Sequence, residues 1–285
     1  MTVIKTILCP VDFSQATARQ VELAAGLARL FGARLVLHHT EPALVTGAGV
    51  GWMWSSENQA ASTEQVGRQL EVLVNAQARG LQVELRMTDG GASAAVLAVS
   101  EAVQADLVVL STHHATEDHT SVTEQMIARG NRVVLALHEA TEEPDALRLD
   151  LTDGKRQMAL VPTDLTPESR AAVQFAFELA RVLPIDVHLT HFLKHGGLRN
   201  EAVAASQLRA LVPDDLLARA HIDVQECEPA MGIMQMASAL GAACIVMGAH
   251  TRSPLRRWLT RDTSRAVLHD VHCPVWYVPS SAAAA

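Results

Sequence analysis

Four cysteines in 285 residues, Cys9, Cys227, Cys244 and Cys273, show no C-x-x-C spacing. A disulfide framework and a zinc ribbon are therefore excluded as organising devices, and the four read as reduced core residues. Aromatics are scarce: five Phe, four Trp and one Tyr leave few platforms on which bases could stack. With 23 Lys and Arg against 31 Asp and Glu the net charge is −8, which argues against a duplex-binding surface, so no nucleic-acid partner is expected. No apolar run approaches the ~20 residues of a membrane span, so no membrane partner is expected either. The opening Met1-Thr-Val-Ile-Lys-Thr-Ile7 enters a strand-like pattern rather than a signal peptide, giving a cytoplasmic expectation. What the chain has in quantity is apolar residues, 49% against 19% charged, which excludes disorder, and its length suggests two domains. Thirteen histidines would carry the formal charge from −8 to +5 on full protonation, an expectation of acid sensitivity.

The chain repeats itself. At an offset of 152, Leu8-Cys-Pro-Val-Asp-Phe-Ser14 falls on Leu160-Val-Pro-Thr-Asp-Leu-Thr166, and ten of the 32 positions in 8–39 are identical to those in 160–191. Farther on the offset is 137, aligning Ala105-Asp-Leu-Val-Val-Leu-Ser-Thr-His113 with Ala242-Ala-Cys-Ile-Val-Met-Gly-Ala-His250. The first copy carries the extra chain in the Gly/Trp/Met-rich stretch Gly47–Trp54. Two copies of one domain follow, residues 1–140 and 156–281, joined by an acidic, proline-containing linker.

Periodicity alternates between strand and helix. In the first copy, strands are expected at Val3–Leu8, Arg34–His39, Val83–Arg86, Leu107–Leu110 and Arg132–Leu137. Helices are expected after Ser14, over Glu64–Arg79, Ala92–Ala102 and Thr123–Arg129, with Ser14 and Thr166 as N-caps of the first helix in each copy. Strands separated by helices imply an α/β fold with a parallel sheet, whose ligands sit beyond the carboxyl ends of the strands.

A Pro-x-Asp ending strand one, a His ending strand two, Ile245-Val-Met-Gly-Ala-His250 and the closing His272-Cys-Pro-Val-Trp-Tyr-Val278 resemble the universal stress protein family over nearly the whole chain. The resemblance implies two flavodoxin-like (Rossmann-like) five-stranded domains in tandem. It also implies that Val133–Leu137 and Val275–Val278 pair them as an internal pseudo-dimer; a further homodimer is possible. ATP-binding members carry G-x2-G-x9-G-[ST] after strand four, where glycines admit phosphates to backbone N–H groups and a helix N-terminus. In the second half that pattern falls on Gly248, Thr251, Arg261 and Asp262, and the carboxylate of Asp262 opposes phosphate. In the first half Ser111 and His114 replace glycines and the loop is shortened before Ser121-Val122-Thr123. Neither phosphate loop is intact.

The nucleotide-contacting candidates implied by the resemblance are Asp12, Thr40, Ser121, Val122, Thr123, Asp164 and Gly248; Asp12 and Asp164 could instead cap the following turn. His39 with His113, and His191 with His250, flank those aspartates. Strands two and four lie about 10 Å apart, too far for shared metal coordination, so no metal site is expected and the histidines read as structural or ligand-edge residues. The loop His113–His119 reads as solvated, and Arg252, Arg256, Arg257 and Arg261 form a candidate anion site. Trp52-Met-Trp54 is a partner patch, a flap or a seal of the interdomain seam. No catalytic triad, paired carboxylates or H-E-x-x-H is present, so no catalytic residue is assigned. Two functions remain: a stress-associated binding module for an unknown protein or small molecule, without family-type ATP binding and with no cofactor expected, or an ATP- or AMP-binding protein that is at most a weak ATPase.

Overall fold

The computed structural model describes residues 4–41, 56–112, 121–129, 131–138, 149, 151, 154–193, 198–249 and 261–280, with the side chains of 56–62, 168, 198–200, 261, 262, 264 and 265 outside that description. The linker 139–154 falls mostly outside it, as does the stretch 47–54. The first repeat runs β1 (Thr6–Val11), α1 (Thr17–Phe31), β2 (Arg34–Glu41), α2 (Ser56–Gln77), β3 (Val83–Asp89), α3 (Ala92–Ala102), β4 (Leu107–Thr112), α4 (Val122–Arg129) and β5 (Val133–His138). The second runs β6 (Gln157–Pro162), α5 (Pro167–Val182), β7 (Ile185–Leu193), α6 (Leu198–Arg209), a 3-10 turn (Asp214–Arg219), β8 (Ala220–Glu226), α7 (Pro229–Leu240), β9 (Cys244–Ala249), α8 (Arg261–Asp270) and β10 (Val275–Pro279). The same alternation thus appears twice. Among the described residues no helix is long and apolar enough to cross a membrane.

Two compact units divide the chain at Asp106 and Leu107. In the first unit the strand order is β3-β2-β1, all parallel, with Cys9, Leu37 and Leu85 in one row across the three strands. In the second the order is β4-β5-β10-β9-β6-β7-β8, parallel except where β5 meets β10. There Val275, Trp276 and Tyr277 pair antiparallel with Ala136, Leu135 and Val134. The last strand of each repeat therefore gains a second ladder partner in the other, and β4, α4 and β5 group with the second repeat. All five residues of β10 are buried, and Phe175 of α5 packs on Trp276 with ring centroids 5.5 Å apart. The apolar runs of both strands are what burial on two faces requires.

The helix starts differ from the sequence expectation in one repeat. Thr166 does cap α5, accepting the Ser169 N–H at 3.3 Å, with Pro167 at the first helical position where its missing N–H costs nothing. Ser14 does not cap α1: the helix starts later, at Thr17, with Ala16 as the N-cap residue and no side-chain cap. Without a proline at position 15 to fix the start, the chain makes a further turn, in which the Thr17 N–H reaches the Ser14 carbonyl at 3.1 Å.

Close approach governs α7. A Cβ on Gly232 would lie 2.5 Å from both Cys227 Sγ and Phe192 Cε1, whereas one on Gly67 in α2 would meet nothing within 4 Å. Gly232→Ala should lower stability by about 1–3 kcal/mol through overpacking, while Gly67→Ala should raise it by about 0.5–1 kcal/mol. Paired urea melts check both signs. A second test concerns acid. His38 is 1% exposed, and burial, followed by its neighbours His39 and Arg86, depresses its pKa from 6.5 to about 4. Between those values the unfolded chain binds the proton more readily, so stability is fully present above about pH 6.5 and is lost as pH falls through about 4. His38 Nε2 lies 2.8 Å from the Thr88 hydroxyl, and replacing His38 by Gln, which keeps a polar side chain facing it, should flatten the stability-against-pH curve across that window.

Candidate functional site

The carboxyl ends of β1 and β6 carry one turn built twice. Phe13 and Leu165, equivalent in the two repeats, both adopt left-handed backbone, with φ of 59° and 62°. Side chains that cost something in that region persist only where neighbours fix the turn, and here an aspartate does so. Asp12 Oδ1 accepts the Ser14 N–H at 2.9 Å and the Thr17 hydroxyl at 3.0 Å. Asp164 Oδ1 accepts the Thr166 N–H at 3.1 Å and the Thr166 hydroxyl at 2.6 Å. The capping alternative for these carboxylates is thus occupied in both repeats.

The histidine beside each aspartate turn bonds to its own chain's backbone. His39 Nδ1 donates to the Val11 carbonyl at 2.7 Å and His191 Nδ1 to the Thr163 carbonyl at 2.8 Å. A carbonyl can only accept, so the ring proton sits on Nδ1 in both, and each ring stitches the end of strand two to strand one. The Phe13 ring lies against His39 with centroids 4.9 Å apart. Their partners in the sequence reading, His113 and His250, lie outside the described residues, as do the rest of the His113–His119 loop, Trp52–Trp54, Arg252, Arg256 and Arg257. Arg261 begins α8, with its side chain outside the description.

Strand four ends in a closed helix terminus. Ser121 Oγ accepts the Glu124 N–H at 3.1 Å while Glu124 Oε2 accepts the Ser121 N–H at 2.9 Å, a reciprocal capping box on α4. Glu124 Oε1 lies 3.5 Å from His269 Nε2 of α8, and its side chain is 14% exposed. The Thr123 hydroxyl donates to the Ser111 carbonyl at 3.3 Å. Both hydroxyls of Ser121-Val122-Thr123 are engaged within the chain, and the Glu124 carboxylate holds the helix end. The Ser-x-x-Glu spacing is itself the sequence signal for this box, although the resemblance draws the eye to the hydroxyls instead. In the second repeat Gly248 is a buried ladder residue of β9, paired with Val278, and Asp262 lies in the first turn of α8.

The repeats differ at the end of strand two. Thr40 is half-exposed, in register with Thr88 of β3. Its equivalent, Phe192, is 3% exposed and reaches the surface of α7 at Gly232. Beside the Asp12 turn a groove of about 560 Å³ opens between α1 and α2, lined by Phe13, Ser14 and Thr17 on one side and Gln65, Arg68 and Val72 on the other. No sequence motif marks the α2 wall, whose residues are ordinary for a surface helix. Among the described residues no group of three His, Cys, Asp or Glu side chains could hold a metal. The Cys227 thiol is pushed up by burial and by Glu228, which makes it a poor nucleophile at neutral pH.

Known proteins agree with this architecture. The chain is similar to a universal stress protein from Archaeoglobus fulgidus, at 15% identity over 98% of each chain with a TM-score of 0.72. It is also similar to a functionally unknown protein from Pseudomonas aeruginosa, at 16% identity over 99% of this chain and 95% of that one, with a TM-score of 0.66. At such identities the likeness speaks for the fold. No curated protein sequence matches. The family model for the universal stress protein family matches residues 4–138 and again 156–279. With nearly the whole length matched in two consecutive repeats, the chain belongs to the universal stress protein family as a tandem-domain member.

Proposed function

We propose that this chain is a stress-response binding and interaction module that does not bind ATP in the family's manner. The observation that carries the reading is Glu124. Its carboxylate closes the α4 N-terminus through the Ser121 N–H at 2.9 Å, taking up a donor that a phosphate would need and adding a negative charge beside it. In the second repeat the residue type supports the same reading, with an aspartate, Asp262, second in α8. A phosphate arriving at α4 would have to displace the Glu124 carboxylate. The capped ends are in turn consistent with a role in which the chain's surfaces, rather than a bound nucleotide, meet a partner.

Calorimetry tests this directly. The wild-type chain should give no magnesium-dependent ATP binding at micromolar concentration. Tight binding abolished by a change at Gly248 would overturn the reading.

One asymmetry favours a residual adenine-nucleotide site in the first repeat as a second reading. Thr40 leaves half-open the position that Phe192 fills in the second, and the groove beside the Asp12 turn is accessible. Such a site would lack the contacts to outer phosphates, so it should distinguish little between ATP and AMP. Asp12→Ala should weaken it more than Asp164→Ala, with circular dichroism confirming that both variants stay folded. Equal losses, or a strong preference for ATP, would count against it.

A further inference from the structure

We propose that a second copy of this chain docks on the edge of β3, extending the sheet through an antiparallel β3–β3 ladder centred on Leu85. Among the described residues β3 pairs only with β2, leaving its outer edge without a ladder partner. The direction of its backbone groups is fixed by that pairing. The Leu35 N–H donates to the Gln82 carbonyl at 3.1 Å, and the Gly90 N–H to the Glu41 carbonyl at 2.9 Å. Successive residues of a strand point their backbone groups to opposite edges. The even positions therefore serve β2, and Val83, Leu85 and Met87 present their N–H and C=O groups outward.

The side chains make that edge complementary to itself. Leu85 continues the row of Cys9 and Leu37, both fully buried, but is itself 39% exposed, and Met87 beside it is 40% exposed. Glu84 and Arg86 alternate with them on the opposite face, where Arg86 Nε donates to Glu84 Oε1. Centring an antiparallel pair on Leu85 sets Leu85 against Leu85 and Val83 against Met87 on one face. On the other it sets Glu84 against Arg86 twice, by symmetry. In this register the outward-facing residues are the hydrogen-bonded pairs, and the charged pairs occupy the closer non-hydrogen-bonded positions, where opposite charge stabilises most. A shift of one residue along one strand would change which faces meet, and centring on Arg86 would place Arg86 against Arg86.

The edge strand of the second unit, β8, is a poorer choice. Its equivalents of the apolar row, Ile222 and Val224, are already half-buried, and its cation would be His221, which carries charge only when protonated. Mixed pairing of β3 with β8 in the matching register would oppose Glu84 to Asp223. The complementarity therefore selects like with like, an isologous contact that closes as a dimer.

Charge exchange in the full-length chain tests the register. Sedimentation equilibrium should show a monomer–dimer equilibrium for the wild type. Glu84→Arg alone and Arg86→Glu alone each put like charges in both cross-strand pairs and should weaken the dimer about tenfold or more. Mixing the two single variants restores opposite charges and should recover a heterodimer, as should the double exchange in one chain. Hydrogen exchange should show the Val83, Leu85 and Met87 amides protected in the dimer and exposed on dilution. A wild-type chain that stays monomeric, leaving the edge to another protein's strand or to none, would overturn the proposal. So would a dimer indifferent to both single exchanges, or single variants that lose the dimer and fail to recover it on mixing.

Discussion

Every helix N-terminus exposes N–H donors that the helix cannot satisfy, and whatever reaches them first decides whether the end can hold an anion. At α4, α5 and α7 the nearest side chains take them, whereas α1 and α3 have no side-chain cap. Thr166 caps α5, Glu228 accepts the Met231 N–H at 3.0 Å at the start of α7, and Glu124 with Ser121 closes α4. Such a cap contributes about 1 kcal/mol, a useful amount for α4, which at eight residues is too short to persist alone. Its further anchor is His269 of α8, whose ring faces the same carboxylate. Stability of a short helix and affinity for a phosphate draw on the same donors, and here the arrangement favours stability.

The antiparallel ladder between β5 and β10 sets the second constraint. It consumes the outer edge of the last strand in each repeat, and it does so with residues that are almost wholly buried, from Val133–Leu137 on one side to Val275–Pro279 on the other. The seam is reinforced beyond the ladder: His138 at the end of β5 donates to the His269 carbonyl at 2.7 Å. The outer edges of β3 and β8 have no ladder partner among the described residues, and there the side chains rather than the backbone decide what is accepted.

Much of the fold was legible because its signals are repeated. The 152-residue offset, the alternation of apolar strands with amphipathic helices, and the resemblance at Asp12, His39 and the closing strand all point one way, and the helix at Ala92–Ala102 was readable to the residue. Boundaries elsewhere were harder. α2 starts at Ser56 rather than near Glu64, because its first two turns are polar and show no apolar period. The site was less legible than the fold. A sequence places Asp12, Ser121 and Glu124 near chain turns but does not say which oxygen meets which N–H. The capping box and the twin left-handed residues Phe13 and Leu165 follow from side-chain geometry that only the folded backbone fixes. The exchange of Thr40 for Phe192 was visible as letters, but its meaning depends on Gly232, forty residues on in the chain.

The central proposal is that the Glu124 carboxylate, closing the α4 N-terminus, stands in the way of a phosphate there. The most direct measurement is the nucleotide content of the native protein: the freshly purified chain is denatured, and the released small molecules are separated and quantified. The account predicts a supernatant without adenine nucleotide in proportion to protein. ATP released at one or two equivalents per chain would contradict it.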